Sequence, residues 1–160
     1  MKIKGITKAL AVLFAFILCL TGCKGEEKLT VTDISNSLCE LCLKGKETYE
    51  VSKADIENRF NFDGNLLDQC SIKLCDNDQE FLMVAVFSLK ENADKTAIIN
   101  GINAAVKEVS GSFSVLGNKN LAKIQQRIFY EYEDIQIVVI CEDYTAVKKY
   151  FEDIGATPIQ

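Results

Sequence analysis

A basic and then apolar leader at the start of the chain places the strongest limit on what the remainder can fold into. Three lysines precede an uncharged apolar run from Ala9 to Leu20, and small residues follow the run. This order is typical of a secretory signal peptide. The run is too short to cross a bilayer core, which takes about 20 apolar residues. We therefore predict that residues 1–22 are a signal peptide and take no part in the fold.

The leader ends in Leu20-Thr21-Gly22-Cys23, a stretch that resembles a bacterial lipobox. The resemblance implies cleavage between Gly22 and Cys23, followed by lipidation of the Cys23 thiol. One acyl chain binds a membrane only marginally, whereas two chains give stable anchoring. We expect a diacylglyceryl group on Cys23 to hold the protein on the extracytoplasmic face of the cell membrane. An ordinary signal peptide or an uncleaved single-pass anchor is the alternative.

Cleavage at this point leaves 138 of the 160 residues, enough for one domain with its own core. We assign residues 23–31 to the lipidated cysteine and a tether, and residues 32–160 to a single domain. Because the leader carries three lysines and no acid, its loss changes the formal net charge from −5 to −8. An acidic domain without a basic cluster disfavours nucleic-acid binding, since phosphate contacts dominate that affinity. The expected partners are the lipid bilayer, through acylated Cys23, and an unknown protein or small molecule.

Two helices are predicted at the start of the domain. Over residues 33–44 the apolar side chains recur at helical spacing on one face, and Gly45 marks the end. A shorter helix is predicted to begin at Ser52, where the spacing resembles a capping box, and to end at Asp63-Gly64.

In the rest of the domain, the sequence predicts the order strand, strand, helix twice. Residues 70–74 alternate in polarity and residues 81–89 are almost continuously apolar, so the two segments are predicted to form a hairpin. The 81–89 segment is typical of a strand covered on both sides or central in its sheet. A long helix follows from about Asn92 to Val109, and Gly111 is expected to stop it.

A second unit follows a predicted loop at residues 112–123. It has strands at 124–132 and 135–141 and a final helix capped by Asp143, with Val147, Tyr150, Phe151 and Ile154 on its inner face. The two units look like weak copies of each other, and chance similarity is the alternative. We predict an α+β fold: an antiparallel sheet of about four strands built from two strand-strand-helix units, with helices on one face and two N-terminal helices packed on it.

Several stretches together resemble a family of small lipoproteins of Gram-positive anaerobes, catalogued only as domain of unknown function 4358. The first two are a lipobox, LTGC, and a short Asp-initiated helix, TDISNSL. The others are an apolar strand that enters a Lys-Glu turn, MVAVFSLKENADK, and a closing strand-acid-helix unit, IQIVVICEDYTAVKKYFED. The resemblance covers nearly the whole mature chain. It implies an extracytoplasmic lipoprotein with an α+β fold, and it supplies no catalytic residues.

Cysteines are the side chains most able to carry chemistry. Beyond Cys19 in the leader and Cys23, five remain, and the sequence leaves their redox state open: Cys39, Cys42, Cys70, Cys75 and Cys141. Cys39 and Cys42 form a C-x-x-C pair, a candidate redox pair or half of a zinc site. Thioredoxin-like pairs lie where a strand ends and a helix begins, but this pair lies within a predicted helix that no strand precedes. We therefore favour core packing for Cys39 and Cys42.

A four-cysteine metal site is not expected, because Cys70 and Cys75 point to opposite faces if residues 70–75 form one regular strand. The chain contains no histidine, which excludes Ser-His and Cys-His nucleophile pairs and histidine metal ligands. We expect no catalytic residues, metal or cofactor. The sequence thus predicts a non-catalytic binding or accessory module rather than an enzyme. The alternative is an extracytoplasmic thiol/disulfide protein that uses Cys39 and Cys42.

Overall fold

A computed structural model of the chain describes residues 28–77, 80–115 and 121–159. The predicted signal peptide, Cys23 and most of the predicted tether lie outside these residues. Within them the strands are β1 (Tyr49–Glu50), β2 (Leu67–Asn77), β3 (Glu80–Leu89), β4 (Ile128–Tyr132), β5 (Ile135–Ile140) and β6 (Thr157–Pro158). They form one antiparallel sheet in the order β1-β2-β3-β5-β4-β6.

Five helices accompany the sheet in the described part of the chain: α1 (Val31–Cys42), α2 (Ile56–Phe60), α3 (Lys95–Val115), α4 (Leu121–Gln125) and α5 (Tyr144–Ile154). A 3₁₀ turn at Gly64–Leu66 leads into β2. The α+β class, the antiparallel sheet and the packing of α1 on it are as predicted.

The strand β3 explains the layered architecture. It lies between β2 and β5, and residues 81–88 are all buried. Because side chains alternate along a strand, Leu82, Val84 and Val86 face one side of the sheet, while Met83 and Ala85 face the other. Both sides are apolar, so both must be covered.

We call the layer on the Leu82 side the first core. Helices α1 and α5 pack there, with Ile34 and Leu38 from α1 and Val147 and Phe151 from α5. The layer on the Met83 side is the second core, built with α2, α3 and α4. Its helical members include Ile56, Phe60, Ile98, Ile102, Val106 and Ile124.

Two parts of the predicted architecture were therefore wrong. The sheet has six strands rather than about four, because β1 and β6 have two residues each and are too short to give a periodic signal. Helices cover both faces rather than one, since a one-sided arrangement would expose half of the apolar side chains of β3. The two N-terminal helices consequently lie on opposite faces: α1 is in the first core, and α2 contacts α3 in the second.

The ends of the elements also differ from prediction, for local reasons. Helix α3 begins at Lys95, where Asp94 accepts hydrogen bonds from two backbone N–H groups, and it continues through Gly111 to Val115. A predicted stop at Gly111 was therefore wrong. Part of the predicted loop is helical in α3 and α4, residues 116–120 lie outside the described residues, and Ile124 belongs to α4 rather than to a strand.

The strand-strand-helix order occurs twice, as β2-β3-α3 and β4-β5-α5. The two hairpins meet through antiparallel pairing of β3 with β5, so a half-turn about the sheet normal would superpose them. That rotation keeps each face in place, whereas α3 and α5 lie on opposite faces. The two units therefore share an order of elements but not a three-dimensional arrangement.

Candidate functional site

Polar and thiol side chains converge at one end of the sheet, where β3 begins and β5 ends. The register pairs Met83 with Ile140 and Leu82 with Cys75, which brings Glu80 close to the residues that follow β5. We call Lys46, Glu80, Lys123 and Glu142 the polar network, and Cys42, Cys75 and Cys141 the thiol layer. The network lies on the surface at this end, and the thiol layer belongs to the first core beneath it.

Ion pairs connect the members of the polar network. Lys46 Nζ donates to both carboxylate oxygens of Glu80, at 3.0 and 2.9 Å, and to Glu142 Oε1 at 3.4 Å. Lys123 Nζ donates to the same Glu142 oxygen at 3.3 Å. A hydrogen bond shared with the Glu80 carboxyl group, followed by the hydrogen bond and charge of Lys123, lowers the pKa of Glu142. Two lysines and two carboxyl groups thus contact one another at this end of the domain.

Within the thiol layer, Cys42 and Cys141 belong to the same buried cluster. Cys42 is the last residue of α1 and is 7% exposed, while Cys141 directly follows β5 and is 0% exposed. Interaction with Cys141 and then burial raise the pKa of Cys42. Interaction with Cys42 lowers the pKa of Cys141.

The third thiol of the layer is engaged differently. Cys75 Sγ lies 3.9 Å from Glu80 Oε2 and donates to it, which links the thiol layer to the polar network. Burial, followed by the charge of Glu80, raises the pKa of Cys75. This thiol is consequently poor at forming the reactive thiolate.

Tyr144, at the start of α5, fixes the end of the sheet. Its hydroxyl donates to the backbone carbonyl of Lys123 at 2.9 Å and accepts from the backbone N–H of Cys141 at 3.3 Å. Burial raises the pKa of Tyr144 to about 12. This hydroxyl joins α4, α5 and the residue after β5, and so positions Lys123 and Cys141 relative to each other.

The sequence-predicted pair Cys39 and Cys42 is divided between two environments. Cys39 is half-buried, and its sulfur lies 3.9 Å from Ser35 Oγ. Burial raises the pKa of Cys39. Cys42 is at the C-terminal end of α1, where the helix dipole disfavours a thiolate. Both features differ from a thioredoxin-like arrangement, in which the dipole at a helix N-terminus lowers the thiol pKa.

The remaining cysteines follow the alternation that the sequence predicted. Cys75 belongs to the first core and Cys70 packs against the second, so these two side chains lie on opposite faces of β2. Among the described residues, no cluster of three or more His, Cys, Asp or Glu side chains is arranged to hold a metal ion.

A second polar feature, which the sequence did not indicate, surrounds Arg59 on α2. The Arg59 guanidinium donates to Tyr49 Oη and to the Asp76 carboxylate, and it lies 5.7 Å from the centre of the Tyr49 ring. Two cavities, of about 250 and 290 Å³, share Asn58 and Arg59 in their walls. We call this region the Arg59 cleft, defined by Tyr49, Asn58, Arg59 and Asp76.

The comparisons with known proteins add no relative: no family model, no curated protein and no solved structure matches the chain. In the part of the chain that the structure describes, none of the helices combines the length and the apolar character needed to cross a bilayer.

Proposed function

We propose that the protein is an extracytoplasmic lipoprotein, held on the membrane by lipidated Cys23, and that it acts as a non-catalytic binding or accessory module. The observation that carries this proposal is the basic and apolar leader ending in LTGC. Cys23 precedes the first residue of α1 by only eight positions. A fully extended segment of that length spans about 28 Å, so the domain stays close to the bilayer.

The described end of the tether supports one orientation of the domain. Lys28 Nζ donates to Glu133 at 2.8 Å, and Glu133 lies in the turn between β4 and β5. Helix α1 runs from this end toward the polar network over about 18 Å, at 1.5 Å per residue. The polar network and Asp76 of the Arg59 cleft lie where β2 ends and β3 begins. We propose that this distal end, which faces away from the bilayer, is the surface that meets a partner.

The environment of the Glu80 and Glu142 carboxyl groups favours binding over catalysis. Its hydrogen bonds with Glu80, Lys123 and Lys46 lower the pKa of Glu142, whereas a general acid requires a pKa raised toward neutrality. Glu142 is 51% exposed along its side chain and Glu80 only 15%. A half-exposed network of lysine and glutamate side chains is suited to polar contacts with another molecule.

The alternative function is thiol/disulfide exchange through Cys39 and Cys42, and the C-x-x-C spacing is what favours it. Burial raises the pKa of Cys39, and the dipole of α1 opposes a thiolate at Cys42. An insulin-reduction assay separates the two functions. Reduction of insulin by the wild type but not by Cys39→Ser would favour the alternative.

We also propose membership of the lipoprotein family that the motifs resemble, domain of unknown function 4358. The fold is compatible with the motif order, because TDISNSL lies in α1, MVAVFSLKENADK spans β3 and the start of α3, and the closing motif spans β5 and α5. An alignment that placed LTGC and these three stretches in unrelated positions of that family would contradict the assignment.

Metabolic labelling with radioactive palmitate tests the anchor. We expect label on the wild type and on Cys39→Ala, and no label on Cys23→Ala. Cys39→Ala is the matched control, since it removes a thiol that the described domain holds half-buried. Equal labelling of the wild type and Cys23→Ala would contradict the proposal.

Site-specific photo-crosslinking in intact cells tests the distal surface. Asn58 in the Arg59 cleft and Asp134 in the β4–β5 turn are both exposed and lie on different parts of the domain. We expect a crosslinked product from a probe at Asn58 and none from a probe at Asp134. A product from Asp134 alone would contradict the proposed orientation.

A further inference from the structure

An amine, a carboxylate and a carboxamide meet between α3 and the sheet. Glu131 of β4 lies directly opposite Gln136 of β5, and Lys95 is the first residue of α3. Lys95 Nζ donates to Glu131 Oε2 at 2.7 Å, and Gln136 Nε2 donates to Glu131 Oε1 at 2.7 Å. We propose that Lys95 and Gln136 form an intramolecular amide bond with loss of ammonia, and that Glu131 carries protons between the two nitrogens.

The fold holds the three groups on one face of the sheet. Val138 and Ile140 occupy alternate positions of β5 and belong to the second core, so Gln136 faces the same layer as α3. Its opposite neighbour Glu131 shares that face, with Cβ atoms about 4.5–5.5 Å apart. The amine and the carboxamide therefore contact different oxygens of a single carboxylate, and the flexible four-carbon stem of Lys95 lets the amine approach the amide carbon.

The environment of Gln136 favours attack by an amine over hydrolysis. Gln136 is 3% exposed, which limits the access of water to its amide carbon. Among the described residues, its Oε1 atom has no hydrogen-bond partner. Buried polar atoms without a partner are rare in folded proteins and call for an explanation such as a strained or reactive group. The side chains of Lys95 and Glu131 are 36% and 31% exposed, which gives the departing ammonia a route to solvent.

Glu131 is suited to accept the first proton. Burial opposes its ionisation, but the hydrogen bonds from Lys95 and Gln136 outweigh burial and lower the pKa of Glu131. The resting group is consequently a carboxylate, with one oxygen on the attacking nitrogen and the other on the leaving nitrogen. A base in hydrogen-bond contact with both atoms serves proton removal and proton delivery in turn.

The atoms balance without a further reactant. Glu131 Oε2 takes a proton from Lys95 Nζ, and the neutral amine attacks Cδ of Gln136. The new C–N bond replaces the bond from Cδ to Nε2. The lysine nitrogen gives up two protons in all, and Nε2 takes both through the carboxylate and leaves as ammonium. No group is oxidised or reduced. Because the reaction occurs once in each molecule, a slow rate suffices, and well-oriented groups reach effective molarities of about 10⁵–10⁸ M.

Peptide mapping of the full-length protein in detergent tests the bond. The purified protein is reduced and digested with trypsin, which cuts after lysine but not after a lysine whose amine is in an amide. We expect a linked product of residues 91–107 and 128–148, uncut at Lys95 and lighter by one ammonia than the sum of the two peptides. Peptides cut at Lys95 with an intact Gln136, as a simple ion pair would give, or a bond from Gln136 to another lysine would overturn the proposal.

Variants test the roles of the amine and the carboxylate. Lys95→Arg retains the positive charge beside Glu131 but not a nucleophilic amine, and it should give no linked product. Glu131→Gln removes the proton acceptor and should lower the linked fraction at least tenfold after the same incubation. Lys90→Arg, an exposed lysine just before α3, is the matched control and should link like the wild type. Equal linking in Glu131→Gln and the wild type would overturn the role of Glu131.

Thermal unfolding tests the consequence for the fold. The bond would close a loop of roughly 40 residues and so restrict the unfolded chain, as a disulfide does. We expect the linked wild type to melt about 10 °C above Lys95→Arg, which retains the ion pair. Equal Tm values in a sample that contains the linked peptides would overturn the bond as a stabilising device. If Lys95→Arg or Glu131→Gln does not fold, the peptide map of the wild type decides the outcome.

Discussion

Phe151 is fully buried in the first core, and its ring stacks on that of Tyr130 with 4.2 Å between ring centroids. The helical spacing in the sequence predicted that Val147 and Phe151 face inward, and both are buried. Tyr150 and Ile154, placed on the same predicted face, are only half-buried, because they lie at the edge of the contact between α5 and the sheet. The sequence therefore predicted the burial of side chains at the centre of the helix face correctly, but it overestimated the burial of those at the margin of that face.

Replacement of Phe151 by alanine tests this packing. We expect Phe151→Ala to lower the free energy of unfolding by about 3–5 kcal/mol, because the ring leaves a cavity that the core does not refill. Lys148→Ala, on the exposed side of the same helix, should change stability little. Urea unfolding of the two variants measures the difference. Equal stability of Phe151→Ala and the wild type would show that Phe151 is not part of the core.

Two glycines of α3 provide a matched pair. A Cβ atom on Gly101 would lie 2.6 Å from the Phe60 carbonyl oxygen and 3.1 Å from Phe62 Cδ1, whereas one on Gly111 would meet nothing within 4 Å. We expect Gly101→Ala to destabilise the protein by about 1–3 kcal/mol through overpacking. Gly111→Ala should stabilise it by up to about 1 kcal/mol, because alanine favours the helix. Denaturant unfolding gives both values, and the same sign for the two variants would contradict the contact between α2 and α3.

At the scale of whole elements, local sequence patterns predicted which segments are helical or extended better than where they end. The apolar run of β3 and the helical stripe of α1 are strong periodic signals, and both segments are found. Helix α1 nevertheless begins at Val31 rather than Asp33, since Thr30 and Asp33 form a capping box. The strand order and the edge strands could not be predicted, because pairing between distant segments leaves no local pattern. For the same reason the shared position of Cys42 and Cys141 in the first core, which depends on the position of β5, was not predictable.

The capping box of α1 leads to a prediction about pH. The side-chain and backbone groups of Thr30 donate to Asp33 Oδ2, at 2.6 and 2.9 Å, and these bonds lower the pKa of Asp33. A carboxyl group whose pKa is lower in the folded state stabilises the fold fully at pH values above its unfolded-state pKa, here near 3.8. It loses that effect as the pH falls through the folded-state pKa. The stability difference between the wild type and Asp33→Asn should therefore be constant near neutrality and shrink below pH 3.8.

Unfolding in urea at a series of pH values measures this difference. Thr30→Ala removes the cap and should lower the free energy of unfolding by about 0.5–2 kcal/mol. When Asp33→Asn is made in the Thr30→Ala variant, its effect on stability should depend less on pH. A stability difference that stays constant from pH 7 to pH 2 would contradict the role of the capping box.

At the scale of the whole molecule, the domain has two ends with different character. Near Lys28 and Glu133 the described chain approaches the segment that leads to Cys23. The opposite end carries the polar network, the Arg59 cleft and the thiol layer. The sequence predicted the α+β class, which the structure confirms, but not this distal assembly, because its members come from distant parts of the chain. The membrane attachment stays a prediction.

We propose that the mature protein begins at a lipidated Cys23 and presents the folded domain beside the membrane. Intact-mass and peptide-mass spectrometry of the protein purified from its native membrane fraction tests this proposal. We expect a mature chain without residues 1–22 and an N-terminal peptide that carries a diacylglyceryl group on the Cys23 sulfur. A chain that retains the leader, or an N-terminal peptide with an unmodified Cys23 thiol, would contradict it.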